Sequence, residues 1–217
     1  HALFILATTE KHKIIPTILS RCQIFDFNRI RVEDIAGHLE YVAKEEGVAI
    51  ESAALNIIAQ KADGAMRDAL SIFDQLVSFS GREITYQDVI SHLNVLDYDY
   101  YFRLVDAFLK NEVTGALLIF NEVLNKGFEG QHFISGLSRH FRDLMVSRDP
   151  VTVQLLEVSG EIRERYKAQA AATPHDFLLE ALRISSECDY QYKGSQNKRL
   201  SVELALARIS QLTLKKK

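Results

Sequence analysis

A chain of 217 residues, 47% hydrophobic and 25% charged, is long enough to bury one large core or two small ones and has the balance of a soluble globular protein. Its formal charge of -3 excludes a surface built as a whole to coat nucleic acid. Cys22 and Cys188, far apart in sequence, make neither a disulfide framework nor a metal knuckle, so a reducing cytoplasm is the expected setting. No signal-peptide pattern is visible, and no apolar run approaches the ~20 residues that span a bilayer.

The first stretch of interest is FILATTEKHKIIPTILSRCQIFD, residues 4–26. Phe4, Ile5, Leu6 and Ala7 form a short continuous apolar run, the pattern of a strand buried on both faces of a parallel sheet. It ends in Thr8 and Thr9, at the carboxyl end where open α/β sheets place ligands. A polar loop, a short segment containing Pro16, and Ser20-Arg21-Cys22 follow. Ile24, Phe25 and Phe27 then predict a second strand. His1 enters the first strand with no earlier element to pair with it, so the chain is expected to be a fragment whose sheet lies upstream.

From there the apolar spacing turns helical. Ile35, Leu39 and Val42 stand at i, i+4 and i+7, and Gly47 is placed to end the helix at C′. Leu55, Ile58 and Ala62 repeat the pattern up to Asp63-Gly64. Ala69, Phe73 and Leu76 form a third stripe, closed near Ser80-Gly81. Thr85-x-x-Asp88 resembles a capping box, with Asp in place of Glu or Gln, and opens a fourth short helix through Leu93.

Near Leu96 the character shifts. The aromatic run at residues 98–102 is the sort that stacks bases in single-strand binders, but no basic residue is interleaved before Arg103, so packing is the expected role. Val113, Ala116, Leu117, Phe120 and Leu124 predict a helix ended by Lys126-Gly127. Ile134, Leu137, Phe141 and Leu144 predict another, ended before Asp149-Pro150. Residues 154–172 read as one helix broken at Ser159-Gly160. Thr173-Pro174-His175-Asp176 predicts an N-cap with proline at the first helical position. Phe177, Ala181, Ile184 and Cys188 carry the helix that follows, with Cys188 a core thiol. A last helix starts near Asn197. Basic residues gather late, at Lys193, Lys198, Arg199 and Lys215 to Lys217, where a solvated tail is the expected reading.

The order strand, Thr8-Thr9, then P-x-x-L-S-R-C resembles the tau/gamma family of bacterial DNA polymerase III, the ATPases of the replicative clamp loader in the AAA+ superfamily. Gly64-Ala65-Met66-Arg67-Asp68-Ala69-Leu70-Ser71 is similar to that family's sensor 2 segment. The stretch from Asn197 to Leu206 resembles its closing collar helix. The resemblance implies a mostly α fold. The remnant of an α/β AAA+ ATPase domain occupies residues 1–28, a small helical lid 29–95, and an all-α collar bundle for oligomerisation 96–217. It implies Thr9 as sensor 1, Arg21 as an arginine finger acting in trans, and Arg67 as the lid's contact to ATP phosphate. It also implies ATP with magnesium in the intact protein, zinc only in an upstream region, and a hetero-pentamer with other clamp-loader subunits that acts on a sliding clamp and primed DNA.

Hydrolysis of this type needs a G-x-x-x-x-G-K-[ST] loop and a strand-end acid near magnesium. Neither is present, so this stretch alone is expected to be catalytically silent and to hold no bound cofactor or metal. The seven histidines include no HExxH and no Cys/His cluster. Two alternatives stand beside this reading. One is a replication factor C-like or other AAA+ subunit. The other is a non-enzymatic helical module binding DNA or protein, which would require a basic face that no helix before Asn197 shows.

Overall fold

A computed structural model describes residues 2–158 and 160–213. Helices dominate it, in agreement with the mostly α reading. Residues 2–31 are the exception. A four-residue helix α1 (Pro16–Leu19) starts on its proline, whose missing N–H costs nothing there, and most of the rest is irregular. The expected strands at residues 4–7 and 24–27 do not form. Phe4, Ile5, Phe25 and Phe27 stand largely in solvent, and the described residues bring no strand alongside to take up their backbone N–H and C=O groups.

The first helical unit comprises α2 (Val32–Glu46), β1 (Ala49–Ile50), α3 (Ser52–Lys61), α4 (Met66–Ser80), β2 (Glu83–Ile84) and α5 (Tyr86–His92). α2 ends as the sequence predicts. Gly47 takes the left-handed conformation at φ 67°, its N–H donates to the Lys44 carbonyl, and Val48 N–H reaches the Ala43 carbonyl at 2.8 Å. β1 and β2 pair in parallel, Ala49 opposite Glu83 and Ile50 opposite Ile84. The Thr85 capping box is complete, because the Thr85 hydroxyl accepts from Asp88 N–H while Asp88 accepts from Thr85 N–H at 2.9 Å. The Thr85 hydroxyl and backbone N–H together hold the Asp88 carboxyl below its usual range. Ile35, Leu39, Ile58, Phe73, Leu76 and Val89 close an almost wholly aliphatic core.

The second unit comprises α6 (Tyr98–Leu109), α7 (Val113–Asn125), α8 (Gly130–Val146), α9 (Gly160–Ala172), α10 (His175–Tyr192) and α11 (Lys198–Ser210). α8 and α10 pack side by side at its centre, and α11 returns against α7 and α10. Phe108, Phe120, Phe133, Phe141 and Tyr166 are fully buried here, and Tyr100, Tyr101 and Phe102 are buried with them, so the aromatic run is used for packing. Cys188 is buried in the same core, and burial pushes its thiol up to about 11.

The entry to α10 differs from expectation. Pro174 sits at the N-cap position with no side-chain cap. The Thr173 hydroxyl instead donates backwards to the Gln169 carbonyl at 2.7 Å, sealing the end of α9. Of the residues read as breaking that earlier helix, Gly160 starts α9 and Ser159 lies outside the described residues.

One polar cluster crosses the aromatic core. Gln169 spends its amide nitrogen on two acceptors, the Phe102 carbonyl at 2.9 Å and the Asp106 carboxylate at 2.7 Å. Its oxygen must then accept from His140 Nε2, 3.2 Å away, which leaves His140 Nδ1 to accept the Tyr166 hydroxyl at 2.9 Å. Burial drives the imidazole pKa down to about 3, so the ring is neutral.

Candidate functional site

Thr9, Arg21 and Arg67 are the three side chains to place. Thr9 lies in an exposed turn in which the hydroxyl of its neighbour Thr8 accepts from Glu10 N–H at 2.9 Å. Beyond the turn, Lys11 Nζ donates to both oxygens of Asp26 at 3.2 Å, which ties the loop after Thr9 to the chain after Arg21. The pair is open to water on both sides and adds at most ~1 kcal/mol. Arg21 follows directly on the C-cap of α1, its own N–H donating to the Ile18 carbonyl at 3.0 Å. Its guanidinium is exposed and makes no hydrogen bond or ion pair among the described residues.

Arg67 lies in the first turn of α4, and here the local geometry is specific. Asp63 and Gly64 both take positive φ, 48° and 85°, so the chain reverses sharply between α3 and α4. A Cβ on Gly64 would stand 2.6 Å from Arg29 Cβ, a distance no side chain tolerates. Ile30 N–H donates to the Gly64 carbonyl at 3.1 Å, and the Arg29 guanidinium pairs with the Asp63 carboxylate. The segment leading into α2 is thereby fastened to the turn that launches α4. Nothing in the local spacing marks Arg29 for this role, since its partner Asp63 lies 34 positions away.

The α4 N-terminus carries no side-chain cap, because Ala65 occupies that position. Its first N–H groups are open and its dipole end is positive, which with the exposed Arg67 suits an anion. No hydrogen bond or ion pair among the described residues joins Thr9, Arg21 and Arg67. Nor do those residues include a group of His, Cys, Asp and Glu suited to hold a metal ion. No described helix is long and apolar enough to cross a membrane.

Residues 34–82, from α2 to the edge of β2, match the family described as the DNA polymerase III clamp loader subunit, ATPase lid domain. Nearly the whole chain aligns with DNA polymerase III subunit tau of Bacillus subtilis, 33% identical over 97% of this chain. The chain belongs to the DNA polymerase III tau/gamma clamp-loader family. Subunit tau of Escherichia coli is 32% identical over 96% of it. The chain spans 38% and 32% of the length of these two relatives. The Bacillus subtilis DNA clamp loader delta protein shares the fold at a TM-score of 0.51 and 19% identity, over 94% of this chain and 64% of that one. In this family, then, the turn at Asp63-Gly64 and the start of α4 both fall inside the matched lid segment.

Two of the late basic residues have partners within the fold. Lys198 Nζ lies over the Tyr192 ring, 5.5 Å from its centroid, and Arg199 pairs with Glu203 at 2.7 Å while donating to Asn121 at 3.1 Å. Lys215, Lys216 and Lys217 lie outside the described residues.

Proposed function

We propose that this chain is the sensing and assembly part of an ATP-driven clamp-loader subunit in bacterial DNA replication. In that reading it divides into the ATPase-domain remnant at residues 1–28, the lid at 29–95 and the collar at 96–217. Arg67 carries the reading, as an exposed guanidinium with no partner among the described residues, on the open first turn of a helix whose launch is fixed by Gly64. From that position it meets the terminal phosphate of ATP held by its own subunit, with forked donors that a lysine lacks. Thr9, at the end of the segment that follows Ala7, senses the same phosphate or orients the attacking water.

Arg21 acts differently. Exposed and without a partner among the described residues, it enters the ATP site of an adjacent subunit, where a guanidinium offsets the charge that builds on the transferring phosphate. ATP binds with magnesium, which supplies charge neutralisation between phosphates. In this reading the chain's own contribution is to position and to neutralise. Assembly runs through the second unit. Leu200 and Leu204, one turn apart on α11, and Leu118 on the neighbouring α7 are all exposed, and they form the apolar face by which other clamp-loader subunits join into a pentamer. The intact complex then acts on the sliding clamp and primed DNA in the cytoplasm.

The test is Arg21→Ala in the full-length protein. DNA-stimulated hydrolysis by the assembled complex is expected to fall steeply, by as much as the ~10³ to 10⁵ that a finger arginine is worth in GTPases, with nucleotide binding retained. Unchanged turnover removes the assignment.

A further inference from the structure

Tyr98 packs against both hydrophobic cores, that of α2–α5 and that of α6–α11. Its ring meets Tyr166 of the second core edge-on, with centroids 6.4 Å apart. Its hydroxyl donates across the junction to Gln60 Oε1 at 3.0 Å. Gln60 lies in the last turn of α3, and its amide nitrogen donates both to Asn56 at 2.9 Å and to the Glu157 carbonyl, which belongs to the second unit. One side chain therefore gives a donor and an acceptor to the opposite unit.

The other ties across the junction are weaker. Arg163 and Glu33 stand 3.8 Å apart and partly in water, and Tyr86 and Gln87 reach Asp97 at 3.3 and 3.4 Å, on the linker itself. Small polar interfaces of this kind leave neighbouring units free to move unless something specific holds them.

We infer that Gln60 is a positioning residue, a two-way amide latch that sets the angle between the lid and the second core with Tyr98 as the pivot. Gln60 is followed within a turn by Asp63-Gly64, so the angle it fixes is also the angle at which α4 and Arg67 are presented. Without the amide, the Tyr98 hydroxyl loses its acceptor and the Glu157 carbonyl loses a donor, and both recover partners by letting water into the junction. Each core keeps its apolar contacts, because removing the amide or the hydroxyl leaves the Tyr98 ring packed against both clusters. The inference concerns the chain's own resting angle and holds whether or not Arg67 meets a nucleotide.

Electron-electron resonance distances between spin labels test it directly on this chain. Labels go at Glu45→Cys on the exposed end of α2 and Tyr190→Cys on the exposed face of α10, with Cys22→Ser removing the exposed thiol. The parent is expected to give one narrow distance. Gln60→Ala and Tyr98→Phe are each expected to lose that single peak while keeping the parent's helical circular dichroism. A broad parent distribution, or narrow distributions in folded variants, overturns the latch. Tyr98→Phe keeps the ring and changes only the hydroxyl, so it decides the matter should Gln60→Ala fail to fold.

Discussion

The two cores meet the same requirement with different material. The lid buries an aliphatic stripe from each helix around one large ring, Phe73, and needs no buried polar group to do so. The second core interlocks Phe108, Phe120, Phe133, Phe141 and Tyr166 and threads His140 and Gln169 through them. Aliphatic side chains tolerate exchange and small shifts of register, whereas each hydrogen bond of a buried network is made in one geometry only. The lid is thus held chiefly by burial, and the second core by burial plus a fixed polar register between α6, α8 and α9.

The largest test of this comparison asks whether the cores fail separately. Phe73→Ala is expected to cost about 3–5 kcal/mol in the lid and Phe133→Ala a similar amount in the second core. Hydrogen exchange should then show protection lost in α2–α5 but kept in α8 and α10 for the first variant, with the reverse for the second. Equal loss across both units in either variant would merge them into one cooperative body.

A smaller effect sharpens the polar side of the comparison. His140 has a folded pKa of about 3, below its value in the unfolded chain, so the unfolded state binds more protons over that interval. Stability must fall as pH drops from ~6.5 towards 3, by up to about 1.4 kcal/mol per pH unit from this residue. Asp143, whose carboxyl is raised by burial, works in the opposite sense at the acid end and blunts the slope there. Denaturant titrations of the parent and of His140→Asn at several pH values isolate the histidine. The variant is expected to be less stable at neutral pH and to lose less on acidification, and parallel profiles would show that His140 titrates normally.

The smallest effect belongs to the lid alone. Thr85→Ala removes the acceptor for Asp88 N–H at the start of α5 and is expected to cost about 1 kcal/mol. Thermal unfolding followed by exchange in α5 should register it, with α6–α11 unmoved.

Much of this architecture is legible in the sequence. The stripes at Ile35, Leu39, Ala69, Phe73 and Leu76, the stop at Gly47 and the box at Thr85 all act within one or two helical turns, and local spacing encodes them fully. The strands at residues 4–7 and 24–27 mislead because β structure depends on a partner strand, and propensity says nothing of whether one is at hand. Thr173 misleads for a narrower reason. A threonine hydroxyl serves equally as a cap acceptor for the next helix or a donor to the last one, and the second use prevails. At the candidate site, the Gly64 turn and the placement of Arg67 at a helix start follow from sequence, but the Arg29–Asp63 fastening does not, because a contact across 34 positions leaves no local period.

The two-residue ladder between β1 and β2 has a consequence for biosynthesis. It clasps the segment entering α3 to the segment leaving α4, so the intervening hairpin is a closed ring in the finished molecule. On the ribosome, where chains emerge amino end first, that ring cannot shut until Ile84 has cleared the exit. By then α2, α3 and α4, which pack on one another, have emerged, and the two-residue ladder closes the ring behind them.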